Sequence, residues 1–258
     1  MLIHRAADGS TRRIPDQVAV EEPLEIRLDG ALAATTMRTP GHDYELAVGF
    51  CFSEGVLAGV PVTGVRYCAT GSAVDTDFNV VTVETGGRAP EPVTRLTLMT
   101  AACGVCGSVS PSELTGRLGV IAPSLRPPLS VIAAVADRVR PLQHLYAATG
   151  SVHGAAACDA LGIPLVVRED IGRHNAVDKV VGRLMLDGRL PATGLGLFVS
   201  GRAGFDLVQK AWAAGFTWML AVGAPSSLAV EMARTAGLGL IGFARAGALN
   251  VYAPEGGW

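Results

Sequence analysis

Aromatic side chains are scarce in this chain, 5% of 258 residues, although 49% are hydrophobic. Its apolar volume must come mostly from alanine, valine and leucine. Small side chains suit close packing of helices on a sheet better than an aromatic-rich β-barrel. Charge is sparse too, at 17%, and nearly balanced, with 21 basic and 23 acidic side chains. A net charge of −2 draws the protein neither to nucleic acid nor to an anionic membrane, so any anion must be held by a local cluster. Met1-Leu2-Ile3-His4-Arg5 lacks the apolar run of a secretory leader. The long uncharged stretch Ala211–Val230 is broken by Gly215, Gly223, Pro225, Ser226 and Ser227. A soluble, cytoplasmic chain without membrane contact is expected. Only five cysteines occur, and their odd count and irregular spacing argue against a disulfide framework. Cys51, Cys68 and Cys158 lie among apolar neighbours and read as small buried hydrophobes.

What is present divides the chain in two. Residues 1–125 read as a β-rich region with one helix, and residues 126–258 as an α/β unit with a mostly parallel sheet. In the first part, Val18–Leu28 and Leu32–Arg38 flank the hairpin signal Asp29-Gly30. Asp43–Leu57 has helical apolar spacing, and β-type runs follow at Val65–Ala69, Phe78–Val83 and Val93–Met99. Ala122–Pro128 is the linker candidate. Beyond it, Ser130 is placed to cap a helix over Val131–Arg140 that Pro141 stops. Strands are then expected at Ser151–Cys158, Ile163–Arg168, Gly196–Ser200, Thr217–Val222 and Leu238–Phe243. Helices are expected at Arg173–Asp187, Ala203–Ala214 and Ser226–Ala236. In such folds, ligands bind beyond the carboxyl ends of the strands. Here those loops are Glu169–Asn175, Gly201–Gly204, Gly223–Ser227 and Ala244–Asn250.

Four features carry chemistry. Cys103-Gly104-Val105-Cys106 puts two thiols in a glycine-flanked turn. It fits a redox pair, part of a zinc site, a persulfide carrier, or two small buried residues. No second such pair exists, and the deaminase pattern His-x-Glu…Pro-Cys-x-x-Cys is absent. No metal site is therefore expected. Arg168–Lys179 is dense in charge, including Arg173 and His174, and opens a helix after a strand. That placement fits either a solvated helix start or an anion or partner site. Ser200–Phe205 offers Arg202 at a similar junction without being a Walker loop. Phe243–Ala248 combines an aromatic face, the Arg245 guanidinium and a flexible backbone, as a nucleotide site or a surface loop would.

Taken together, these motifs resemble the formate dehydrogenase accessory sulfurtransferases, the FdhD-type sulfur carriers. The matching stretches are Thr36–Leu57, Ala102–Gly107, Thr149–His153, Arg168–Gly182, Ser200–Ala211, Ala224–Ala229 and Gly242–Tyr252. The resemblance implies a three-layer α/β/α, cytidine deaminase-like fold without the deaminase zinc. It implies that Cys103 accepts sulfur from a cysteine desulfurase as a persulfide, assisted by Cys106. The sulfur would pass to bis-molybdopterin guanine dinucleotide, in its molybdenum or tungsten form, before that cofactor enters formate dehydrogenase. The cofactor-binding segment falls on Phe243, Ala244, Arg245, Ala246, Gly247 and Ala248, with guanine nucleotide as a mimic. Arg202 and Arg245 are the expected anion partners, His174 is a further site candidate, and a homodimer is implied. Ser151 stands where a second glycine is common, and Gly204-Phe205-Asp206 replaces Ser-Phe-Glu. The rival reading is a cofactor-binding chaperone whose thiols only shape their loop. A redox enzyme that cycles a Cys103–Cys106 disulfide is the other alternative.

Overall fold

The computed structural model describes residues 1–68, 78–92, 116, 118–122, 126–245, 248–255 and 258. The expected strand Val93–Met99, the Cys103–Cys106 pair, Ala246-Gly247 and residues 123–125 of the linker lie outside the described residues.

An exposed antiparallel hairpin, β1 (Leu2–Ala7) and β2 (Ser10–Pro15), opens the chain; sequence periodicity did not anticipate it. β3 (Glu22–Leu28) and β4 (Ala31–Arg38) then pair through Asp29 and Gly30, both at positive φ, as a two-residue hairpin turn requires. With β5 (Gly64–Tyr67) and β6 (Val80–Glu84) they form a sheet of order β4-β3-β6-β5, in which β3 and β6 run parallel. Leu24, Ile26, Leu28, Val81 and Val83 pack against Leu46, Phe50 and Cys51 of α1 (Asp43–Ser53). That helix ends at Ser53, short of the expected Leu57, because the chain turns through Gly55 at φ 73°.

The second half begins with α2 (Leu129–Ala133) and α3 (Val135–Val139), then a 3₁₀ turn over Arg140–Leu142 and α4 (His144–Thr149). The single helix expected over Val131–Arg140 is thus two short pieces. Pro128, not Ser130, sits at the cap, and Pro141 lies in the first turn of the 3₁₀ segment, where no N–H is needed. A six-stranded sheet follows, built from β7 (His153–Cys158), β8 (Pro164–Asp170), β9 (Gly196–Val199), β10 (Trp218–Ala221), β11 (Gly239–Arg245) and β12 (Ala248–Ala253), in the order β12-β11-β10-β9-β7-β8. Its helices are α5 (Arg173–Leu186), α6 (Phe205–Ala213) and α7 (Ser227–Ala236), the last capped by Ser226 as its sequence indicates.

The expected mostly parallel sheet is corrected to a mixed one. Only β9–β10 and β10–β11 are parallel; β7 is antiparallel to both neighbours, and β12 is antiparallel to β11. A parallel crossover needs about a dozen residues, but residues 159–163 alone join β7 to β8. Asp159 Oδ1 accepts from the Leu161 and Ile163 amides and closes that turn. Likewise, the described residues of the expected loop Ala244–Asn250 lie in strands: Ala244 and Arg245 end β11, and Ala248 opens β12.

Both faces of the sheet are covered. Ala155, Ala157, Leu197, Val199, Met219 and Ala221 face α5, α6 and α7. Ala156, Cys158, Phe198, Trp218, Leu220 and Ile241 meet Ile132, Val135 and Val139 of the opposite helices. The alanine-rich centre explains how so few aromatics fill the core. The two sheets are joined where α1 crosses α5. A Cβ at Gly49 would overlap the Asp178 carbonyl, and one at Gly182 would overlap the Glu45 carbonyl, so the backbones touch. No helix among the described residues is long and apolar enough to cross a membrane.

Candidate functional site

The carboxyl ends of β8 to β11 lie along one edge of the large sheet. The loops that follow are laced together: Gly223 N donates to Gly201 O, Ala203 N to Ala224 O, Ser226 N to Ala203 O and Phe243 N to Gly223 O. Three helices, α5, α6 and α7, begin at this edge, which leaves their unpaired amide groups pointing there.

The charged run Arg168–Lys179 reaches this edge, but it is not a solvated helix start. Asp170, His174, Asn175, Asp178 and Lys179 are all buried. Asp170 accepts from Thr39 N, Gly172 N and Asn175 Nδ2, and its Oδ2 lies 2.7 Å from Lys179 Nζ. Asn175 Nδ2 also donates to Met37 O, and Lys179 Nζ to Thr39 O. Arg168 makes a two-pronged pair with Glu45 of α1. Burial alone would push the Glu45 carboxyl up, but Arg168, helped by His42, brings it down to about 2. Deeper, Lys210 binds both Asp178 and Glu54. Burial disfavours its charge, yet the two carboxylates outweigh that and keep the ammonium firmly protonated. The cluster is therefore a clamp between the two sheets, and its carboxylates and cations satisfy one another.

Glu169 performs a different task. Its two carboxylate oxygens accept from Leu145 N and Tyr146 N at 2.8 and 2.7 Å, capping α4 from another element. With α4 fixed, Arg140, Gln143 and Tyr146 stand over the strand ends. Beneath them lies a cavity of about 570 Å³, floored by Phe198, Val222 and Ala244 and rimmed by Asp137, Arg140 and Arg245. Its volume falls in the usual range for small-molecule sites. The Arg140 guanidinium sits 5.5 Å from the Tyr146 ring centre. Gln143 is buried, and its amide lies over Gly154, where a Cβ would displace it. That amide has no hydrogen-bond partner among the described residues.

The expected site residues are split by this geometry. Ala244 and Arg245 line the cavity. Phe243 holds a left-handed φ of 54° and projects its ring to solvent, 46% exposed. The β11–β12 pairing shifts register between Gly242 and Arg245. Irregularities of this kind re-aim side chains beside functional sites. Arg202 is exposed next to Gly223 but does not line the cavity. His174 is held by Asp206 at the start of α6. Burial raises the Asp206 carboxyl, but His174 and then Arg173 outweigh it and leave it below its ordinary value. His153 stands opposite Asp170 in the sheet. Burial, with Arg173 and His174 nearby, depresses its pKa, so the ring is neutral at pH 7. Cys51 and Cys158 are buried, and burial lifts both thiols to about 12. Among the described residues no group of three or more His, Cys, Asp or Glu side chains could hold a metal ion.

Arg140, Gln143 and Tyr146 escaped sequence reasoning because they sit in short helical pieces with no clear period. The one available signal was Gly154 inside an apolar strand, which marks a close approach.

Comparison with known proteins places this architecture. The family model described as FdhD/NarQ matches residues 19–257. The protein of Streptomyces avermitilis named sulfur carrier protein FdhD is 45% identical over 97% of this chain and 92% of its own length. Its namesake from Nocardia farcinica is 47% identical over 95% and 88%. A solved structure described as a candidate formate dehydrogenase accessory protein, from Desulfotalea psychrophila, superposes with a TM-score of 0.73 at 23% identity, covering 97% of this chain and 94% of that one. At that identity the solved structure speaks for the fold, while the full-length sequence matches carry the kinship: this chain belongs to the FdhD/NarQ family.

Proposed function

We propose that the protein is a sulfur carrier serving formate dehydrogenase, with Cys103 as the persulfide residue and bis-molybdopterin guanine dinucleotide as its client. The observation that carries this reading is the family match from residue 19 to 257, joined to a cavity that takes in Ala244 and Arg245 of the expected client segment. The donor set suits such a client. An apolar floor can receive a flat heterocycle, while Arg140 and Arg245 at the rim can pair with phosphate. The client's metal supplies the acceptor for the sulfur. The chain's own residues bind the organic part and present the thiol.

The thiol step balances as an exchange. The Cys103 thiolate attacks the outer sulfur of a desulfurase persulfide; that sulfur leaves the desulfurase cysteine, which departs as thiolate, and a Cys103 persulfide forms. Releasing the outer sulfur at the sulfide level needs two electrons. Cys106 supplies them by attacking Cys103 sulfur, which closes a Cys103–Cys106 disulfide that reductant reopens.

The test is intact-mass measurement after incubation with a cysteine desulfurase and cysteine. A gain of about 32 Da that reductant removes, lost in Cys103→Ala and kept in Cys158→Ala, is expected. An unmodified wild type, or a Cys103→Ala variant that still supports formate dehydrogenase, refutes the carrier role.

A further inference from the structure

Gln143 is the one polar side chain of the cavity wall that is more than nine-tenths buried, 6% exposed, and it is left without a partner among the described residues. A buried amide normally finds hydrogen bonds, because stranding one is costly. Neither Gln143 amide atom is among the sealed atoms without a partner, so the group opens onto the cavity, and its place there is arranged. Gly154 lacks the Cβ that would push the amide aside, and Gly154 is itself fixed by exchange with Ser200: its N–H donates to Ser200 Oγ, and its carbonyl accepts from Ser200 N. The Gln143 backbone is pinned as well. Its N–H donates to Arg140 O, and its carbonyl accepts from Ala147 N in the helix that Glu169 caps. The amide is thus held beside the apolar floor, with its donor and acceptor unused among the described residues.

A primary amide offers one donor beside one acceptor. Its complement is another cis amide, met by two antiparallel N–H···O bonds. Resting on the client-binding reading above, we infer that Gln143 is the specificity residue of this cavity and pairs amide-to-amide with the lactam edge of a 2-amino-4-oxo pyrimidine ring. Guanine carries that edge as N1–H and O6, and a pterin carries the same edge. Phe198 and Val222 supply the apolar surface beneath the ring, and Arg245 at the rim can meet an attached phosphate.

The experiment is calorimetric titration of the full chain with GDP, with N1-methyl-GDP, with 6-hydroxymethylpterin and with ribose 5-phosphate. Wild type is expected to bind GDP or the pterin and to lose about tenfold or more in affinity when N1 is methylated. Which of the two it binds tells whether the cavity takes the guanine or the pterin end of the client. Gln143→Leu is expected to weaken the preferred ligand by a similar factor and to bind GDP and N1-methyl-GDP alike. Because that variant removes an unpaired amide, its unfolding midpoint without ligand should stay level or rise. Equal GDP affinity in wild type and Gln143→Leu, or no penalty for N1 methylation, overturns the inference and leaves client binding standing. A lower unfolding midpoint in Gln143→Leu assigns the amide a structural role and overturns it likewise. Failure of wild type to bind any of the four probes overturns both.

Discussion

Lys179→Met tests whether the charged motif is a clamp. Lys179 and Asp170 are 1% and 0% exposed in their side chains and stand 2.7 Å apart. The ammonium also donates to Thr39 O at 2.9 Å. Methionine keeps the length and apolar stem but removes the charge, stranding the Asp170 carboxylate in the interior. Breaking one side of a buried pair costs about 3–5 kcal/mol. Three N–H donors remain on Asp170, from Thr39, Gly172 and Asn175, so the lower end, about 3 kcal/mol, is expected. At roughly 2–4 °C per kcal/mol in a chain of this size, the midpoint should fall by about 6–12 °C. Urea unfolding followed by tryptophan fluorescence measures it directly. Adding Asp170→Asn to the Lys179→Met background removes the stranded charge and should return part of the loss. A Lys179→Met variant within 1 kcal/mol of wild type by the same assay would refute the clamp, whatever its effect on sulfur transfer.

Three further outcomes follow from the same geometry. Glu45, brought from 4.5 to about 2 in the folded state, contributes stability that is complete above pH 4.5 and is lost as pH falls toward 2. The shift corresponds to about 3 kcal/mol, and Glu45→Gln should flatten the acid limb of a stability–pH curve while lowering stability at pH 7. Gly182→Ala drives a methyl group into the Glu45 carbonyl; with backbone on both sides of the crossing, the loss should reach about 3 kcal/mol or more by denaturant titration, whereas Gly188→Ala, with open space around it but a φ of 65°, should cost about 1 kcal/mol. In native protein at pH 8, Cys51 and Cys158, buried and raised to about 12, should resist iodoacetamide far longer than in urea, as peptide mass mapping would show.

Much of the framework was legible in the chain. Asp29-Gly30 marked its hairpin, and Ser226 marked the start of α7. The apolar runs at Gly196, Thr217 and Leu238 all became central strands. Strand direction was not legible, because an apolar run reads the same either way; only the shortness of residues 159–163 could have shown that β7 and β8 form a hairpin. The charged run Arg168–Lys179 drew notice for the right reason, its density, but composition cannot tell an exposed cluster from one whose charges cancel inside. The partners that cancel them, Thr39, Glu45 and Lys210, lie over a hundred or some thirty positions away. The cavity wall was least visible, since Arg140, Gln143 and Tyr146 owe their placement to Glu169, an interaction no local pattern records.

Arg168, Glu169 and Asp170 are neighbours on β8, yet they serve opposite sides of it. Arg168 and Asp170 reach toward α1 and β4, while Glu169 reaches to α4. Cohesion of the body and shape of the binding wall are therefore written on alternating letters of one short word. A single inserted or deleted residue between Pro164 and Arg168 would exchange the two messages, sending Glu169 toward α1 and both of its neighbours toward α4.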